Sequence, residues 1–235
     1  MKILLRHCHL IIDDYKEYLD GALLINEEYI EEVYPHDDKA NVADAKEIDV
    51  KGNIVMPDFF NLKKDVYILD PLNADALERI KELPGETRIL LGNTKAFAKD
   101  VNNFSYDGFY NLYENMTGFN HQELGLVNLA FNQKDKYVEL DASKIENSVL
   151  KFTLDNLRKD RIILINDIEN GVIKLKELGL SNTDILSFAS LNAHRFYGDE
   201  RIDGSLVKGK HSNIIVLNDD MKILFKFNKG IIIYA

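Results

Sequence analysis

Apolar and polar positions follow two rhythms along this chain, and the change of rhythm divides it into three stretches. In residues 1–55, short apolar runs are broken by turn residues: "KILLRHCHLII", "GALLINEEYIEEVYP" and "EIDVKGNIVMP". Such runs predict strands, and Asp20-Gly21 supplies turn chemistry between the first two. Residues 201–235 repeat the style in "GSLVKGKHSNIIVLND" and "ILFKFNKGIIIYA". Between the two ends, strand-length runs alternate with amphipathic stretches. "VYILD", "RILLGN", "GFYNLY", "KYVEL" and "RIILIND" read as strands, and "NADALERIKEL" and "SKIENSVLKFTLDNLR" as helices. Strand and helix in alternation predict a parallel sheet covered by helices. A closing helix is predicted through "SNTDILSFASLNAHRFYG", with Ser181 to Asp184 as its cap, Ile185, Phe188, Ala189 and Asn192 on one face, and Gly198 as its stop. The fold class is therefore α/β. A β-rich, sandwich-like domain is built from residues 1–55 and 201–235, and residues 56–200 form an α/β domain inserted into it.

Composition narrows the partners. With 235 residues, 46% of them hydrophobic, the chain holds enough apolar side chains for a full domain core and a small satellite. A net charge of −10 repels phosphates and anionic lipid, so neither nucleic acid nor membrane is an expected partner. Cys8 is the single cysteine, so no internal disulfide can form. The opening "MKILLRHCHLIIDDYKEY" lacks the long apolar region and cleavage site of a signal peptide, and no run reaches the ~18 apolar residues of a membrane span. The expected location is the cytoplasm.

Six motifs, in order, carry a resemblance. They are "DGALLINEEYIEEV" with "IDVKGNIVMPDF", then "ILLGNTKAFAKDV", "NLYENMTGFNHQELGLV", "YVELDASKIEN", "IILIND", and finally "ASLNAHRFYG" with "GSLVKGKHSNIIVLNDDM". Together they resemble the N-acetylglucosamine-6-phosphate deacetylases of the amidohydrolase superfamily across nearly the whole chain. The resemblance implies a (β/α)8-type barrel with a divalent metal such as zinc at the C-terminal ends of its strands. There a metal-bound water attacks an acetamide carbon and an aspartate handles the proton.

At the matched positions the chain departs from that pattern. The family's first-strand His-x-His falls on Lys63 and Asp65, and its two barrel histidines that hold the metal fall on Asn93 and Asn111. The strand bearing the metal-binding glutamate has no counterpart. Gln122 stands for the phosphate-binding arginine and Glu146 for a substrate-binding histidine. Asp167 matches the aspartate used as general acid and base, and His121 matches the second histidine of the His-His-Arg segment. Water activation needs three or four nitrogen, sulfur or carboxylate ligands, and a carboxamide oxygen replaces imidazole poorly. The expectation is a chain with no metal cofactor, in which Asp167 is the surviving catalytic position and His121, Asn93 and Asn111 face a ligand such as an amino-sugar phosphate.

The resemblance also implies a shortened barrel. Two β/α units of the family fall in the short interval between Phe59–Asp65 and Val66–Asp70, and parallel neighbours need a crossover of about a dozen residues or more. Those two segments are therefore expected to form one longer strand, a bend or a hairpin. The sheet is expected to be incomplete, with five to six strands, and its open edges to be covered in a homodimer.

Several residues keep two readings. Asp167 is a catalytic relic or the N-cap of a helix after a strand. His121 is a ligand residue or a loop histidine with a backbone partner. Lys63 and Asp65 form an ion pair in place of the metal's charge or a solvated pair. His7-Cys8-His9 is a metal site or an ordinary strand, with Cys8 pointing away from the two histidines.

Overall fold

The computed structural model describes residues 2–60, 66–69, 88–91, 109–111, 137–140, 142–143, 145, 147–156 and 158–234. Contacts divide the chain into two units, one of residues 1–60 and 175–235, the other of residues 61–174.

The first unit is built on an eight-stranded, mostly antiparallel sheet. Its strands are β1 (Lys2–Ile11), β2 (Glu17–Asn26), β3 (Tyr29–Tyr34), β4 (Ala45–Asp49) and β5 (Ile54–Pro57) from the front of the chain. Further along come β11 (Ile214–Leu217), β12 (Ile223–Asn228) and β13 (Ile231–Tyr234). The order is β13-β12-β11-β5-β1-β2-β3, with β4 beside β1. Both chain segments are thus interleaved in one sheet, because β5 pairs β1 on one side and β11 on the other. Leu5, Leu10, Leu23, Ile25, Val55, Ile214, Val216 and Phe227 form one buried cluster across it.

β1 changes partner along its length. Lys2–Arg6 run parallel to β4, and His9 and Leu10 run parallel to β5. The switch coincides with a bulge between Leu5 and Cys8, where His7 takes φ 51°. The turn at Lys51-Gly52 enters the fork, where Val50 N–H donates to Arg6 O at 2.9 Å and Gly52 N–H to His7 O at 2.7 Å.

One expectation about the first hairpin is corrected. Asp20 and Gly21 are not a turn; both lie inside β2, with Gly21 opposite Cys8. A Cβ at Gly21 would stand 2.7 Å from both Leu10 Cδ1 and Tyr34 O, so the glycine serves close packing of neighbouring strands. The chain reverses instead at residues 12–16, where Ile12 N–H donates to Lys16 O at 2.9 Å. The second reversal is at Glu27-Glu28, with Glu27 at φ 54°.

The closing helix has the cap, face and stop that its sequence predicts. Helix α3 (Asn182–Leu186) begins at Ser181, whose hydroxyl accepts Asp184 N–H at 3.1 Å. A π-helical turn, Ser187–Leu191, follows and leads into helix α4 (Asn192–Tyr197), which ends on Gly198 at φ 76°. Ile185, Phe188, Ala189 and Asn192 are all buried.

The second unit contains a parallel sheet of five strands among the described residues: β6 (Val66–Leu69), β7 (Arg88–Leu91), β8 (Phe109–Asn111), β9 (Tyr137–Leu140) and β10 (Ile162–Leu164). Its order is β10-β9-β8-β7-β6 and every pairing is parallel. Helix α1 (Asn147–Asn156) lies between β9 and β10 in the chain, and α2 (Ile168–Glu177) follows β10. Ala142, Ile145, Leu150, Ile163 and Val172 are buried. The expected helix at residues 73–83 lies outside the described residues, as do residues 61–65. Phe59 and Phe60 have no regular structure and Val66–Leu69 forms β6, so the expected join of these two segments falls on residues outside the described ones.

Candidate functional site

In a parallel sheet all strands end on the same edge, so residues at or just past strand C-termini are gathered there by topology. Leu69 is paired with Leu91, Leu90 with Asn111, Asn111 with Glu139, and Leu140 with Leu164. Asn111 therefore closes β8 on this edge. Asp167 stands three positions past the end of β10, on the turn into α2. Asn93, two positions past the end of β7, and His121 lie outside the described residues, and so do Lys63, Asp65, Gln122 and Glu146.

The surroundings of Asp167 are those of a helix cap. Its carbonyl accepts Gly171 N–H at 3.0 Å, the first intrahelical bond of α2. Its carboxylate takes Asn170 N–H at 3.4 Å through Oδ1 and Asn170 Nδ2 at 2.7 Å through Oδ2. The carboxylate is exposed, and Asn166 before it holds φ 60°. One turn further along α2, the Lys174 ammonium donates to the backbone carbonyls of Ser143 and Ile145. It thereby ties the helix to the segment that follows β9.

The first unit holds several polar clusters. Arg6 grips Asp37 through Nη2 at 2.7 Å and Nε at 3.2 Å, and also reaches Glu47 at 3.1 Å. Asp37 is only 4% exposed and also accepts His7 N–H at 2.9 Å, so its carboxylate pins the bulge of β1. The Arg6 guanidinium holds the Asp37 carboxyl below the usual carboxylate range, against the opposing effect of burial. Next to it, burial pushes the Cys8 thiol up. His7 Nδ1 lies 3.3 Å from Asp20 and His9 Nε2 lies 2.9 Å from Glu17, so the two histidines of the His-Cys-His run have separate carboxylate partners.

A further cluster closes the loop before β11. Asp203 accepts Asn213 Nδ2 at 2.9 Å and faces His211 Nδ1 at 3.0 Å. The Lys210 ammonium donates to the carbonyls of Glu200 and Asp203. On the closing helix, Arg195 forms a forked pair with Asp14 at 2.7 and 3.2 Å, and His194 Nδ1 lies 2.8 Å from Asp199. Among the described residues, no three His, Cys, Asp or Glu side chains are placed to hold a metal ion together.

Reading the sequence alone missed Asp58. This residue joins four parts of the first unit: its N–H donates to Asn213 O at 3.0 Å, and its carbonyl accepts the Ser190 hydroxyl at 2.8 Å. Its carboxylate takes Phe59 N–H at 2.8 Å and the Lys226 ammonium at 3.2 Å. The signal was the Pro57-Asp58 pair, since aspartate after proline is turn chemistry that folds a side chain back on the next amide.

No family model matches the chain. It is 22% identical over 204 residues to the N-acetylgalactosamine-6-phosphate deacetylase of Escherichia coli O157:H7, covering 67% of this chain and 54% of that one. The chain thus spans about half the length of this curated relative. Among solved structures it is similar to N-acetylglucosamine-6-phosphate deacetylase from Pasteurella multocida, with a TM-score of 0.66 at 9% identity over 100% of each chain. The N-acetyl-D-glucosamine-6-phosphate deacetylase of Mycobacterium smegmatis gives 0.61 at 12% over 98% of this chain and 100% of that one. A beta-aspartyl dipeptidase from Fervidobacterium islandicum gives 0.69 at 9%, over 100% and 97%. At such identities the structural likeness speaks for the fold alone. Among the described residues, no helix is long and apolar enough to cross a membrane. In sequence the chain resembles an N-acetylgalactosamine-6-phosphate deacetylase, and in fold it resembles N-acetylglucosamine-6-phosphate deacetylases.

Proposed function

We propose that this chain is a relative of the amino-sugar phosphate deacetylases that lacks their metal-dependent hydrolysis and is retained as a binding or scaffold protein. One observation carries the reading: Asn111 closes a strand on the C-terminal edge of the parallel sheet, where the resemblance places a metal-binding histidine. Asn93 stands at the second such position. A neutral amide oxygen binds a borderline-soft cation weakly and leaves its charge uncompensated, so the donor set does not fit a water-activating metal. Asp167 supports the same reading, because its carboxylate is engaged by Asn170 in capping α2.

The rest of the proposal follows from the fold. Strands that are neighbours in the chain are neighbours in the parallel sheet, the order found in a barrel wall, so we read the five strands as the remaining arc of a (β/α)8 barrel. The edges of such an arc need cover, which a homodimer provides. The ligand class is an amino-sugar phosphate, met by Asn93, Asn111 and His121, and the setting is the cytoplasm.

One observation favours a second reading: Asp167 is exposed at the position that matches the family's proton-handling aspartate. In that reading the chain is an active amidohydrolase on an N-acetylated amino sugar or related amide, using Asp167 and His121 without the usual metal or with a weakly held one. Elemental analysis of the purified protein, followed by a deacetylase assay with added zinc, cobalt or manganese, separates the two. The first reading expects substoichiometric metal and no turnover. Stoichiometric metal with turnover abolished by Asp167→Asn overturns it in favour of the second.

A further inference from the structure

The eight-stranded sheet ends on β3 at one side and on β13 at the other, and the two edges are finished differently. Beside β3, Ile30 N–H donates to Lys210 O and Ile30 O accepts Gly209 N–H, both at 2.8 Å, while Glu28 O accepts Ser212 N–H at 2.8 Å. β3 also carries Glu31 and Glu32, charges that discourage a further strand. Among the described residues, the backbone of β13 bonds to β12 alone, and the strand holds no charged residue, proline or bulge. Its outer face is apolar: Ile231 is 69% exposed and Ile233 47%, on the same face as Leu224 of β12.

The hairpin fixes which groups of β13 are free. Lys229 and Gly230 both take positive φ, 48° and 76°, as a two-residue turn between antiparallel strands requires, so Asn228 and Ile231 are the hydrogen-bonded pair that closes it. Alternation then aims the N–H and C=O of Ile231 and Ile233 at β12 and those of Ile232 and Tyr234 outward. We propose that this edge is the seam of a two-fold dimer, in which β13 pairs antiparallel with β13 of a second copy, Ile232 opposite the partner's Ile232 and Ile231 opposite the partner's Ile233. In that register outward groups meet outward groups, and the exposed isoleucines cover one another. A slip of one residue sets outward groups against inward ones, and a slip of two leaves Ile231 or Ile233 with no isoleucine opposite it. The occupant is a second copy because the strand is its own complement. Its residues are neutral, so a two-fold axis brings no like charges together, and Lys226, next to Ile233 on that face, is already held by the Asp58 carboxylate at 3.2 Å. Two four-residue edges bury less than the roughly 1,200 Å² at which stable interfaces begin, so the association is weak and concentration-dependent. The seam lies in the β-rich unit, separate from any cover on the parallel sheet, and stands whether or not the chain hydrolyses anything.

Sedimentation of the full chain, from micromolar to near-millimolar concentration, tests it. The expected result is a monomer–dimer equilibrium that strengthens as salt is added, because each copy carries a net charge of −10 and the seam itself is uncharged. Ile233→Lys is expected to weaken the dimer about tenfold with the urea midpoint of the monomer unchanged, since the position is exposed in the single copy. The register has its own readout. A mixture of Ile231→Cys and Ile233→Cys proteins is expected to form a disulfide-linked dimer faster than either variant alone, because the two positions stand opposite each other only between unlike variants. Cys8 is buried and does not compete. A monomer at every concentration overturns the seam. So does a dimer that Ile233→Lys leaves intact, which places the contact on another surface, and so does a mixture that cross-links no faster than its components.

Discussion

The two sheets are made from similar runs of isoleucine, leucine and valine, yet one is mostly antiparallel and the other wholly parallel. The connections account for the difference. β2 and β3 are joined by Glu27-Glu28 and β12 and β13 by Lys229-Gly230, links so short that the chain can only turn back on itself. Between β6 and β7 stand residues 70–87, and between β9 and β10 residues 141–161, long enough to carry the chain back over the sheet face and start again in the same direction. The difference teaches where each unit draws its specificity. In the β-rich unit, polar residues far apart in sequence meet one another: Arg6 with Asp37, Asp14 with Arg195, Asp58 with Ser190 and Lys226. At the edge of the parallel sheet, Asp167 bonds three and four positions along its own chain.

This contrast can be broken by mutation, hardest in the shared apolar cluster. Phe227 comes from the end of the chain and is fully buried among side chains from its beginning. Phe227→Ala is expected to cost about 3–5 kcal/mol, read as a lower urea midpoint by circular dichroism. An unchanged midpoint would mean that the two chain ends do not share one core. A smaller loss is expected from Asp37→Asn, about 2–3 kcal/mol at pH 7, because it leaves half-buried Arg6 with only the exposed Glu47 as a carboxylate partner.

That second effect has a definite pH dependence. The folded carboxyl titrates below the unfolded value of about 3.9, so its contribution is fully present above that pH and is lost as the pH falls toward the folded value. Melting temperatures of the unaltered and Asp37→Asn proteins should therefore differ at pH 7 and converge as the pH falls through the folded carboxyl's lowered value. A gap that persists at low pH would assign the stabilisation to shape and not to charge. The smallest expected effect sharpens the comparison at the other sheet. Asp167→Ala should cost about 1 kcal/mol through loss of the α2 cap, and Asp167→Asn almost nothing, since asparagine caps equally well. A loss of similar size from Asp167→Asn would show that the charge itself is needed there.

Much of the architecture was legible in the sequence for physical reasons. The five parallel strands declared themselves as short apolar runs separated by long amphipathic spacers. The closing helix showed its cap at Ser181 and its stop at Gly198, both local features. What stayed hidden depends on partners distant in the chain. Gly21 looked like a turn residue because Asp-Gly is turn chemistry, but its role is set by Leu10 and Tyr34 lying against it. The division of β1 between β4 and β5 has no local signature, since it is decided by carbonyls and amides from elsewhere. At the candidate site, Asn111 and Asp167 were singled out by the resemblance, and the strand order brings both to strand C-termini on one edge. The hold of Asn170 on Asp167 came from geometry.

The placement of β5 between β1 and β11 has a consequence for biosynthesis. At roughly 5–20 residues per second, a ribosome that has finished Pro57 needs on the order of ten seconds or more before Ile214 is made. Throughout that interval one side of β5 is an open template, rich in isoleucine, valine and methionine, with no strand to pair it. The nascent chain therefore depends on holding that segment apart from other polypeptides, and chaperone supply is expected to limit its yield more than the stability of the finished molecule does.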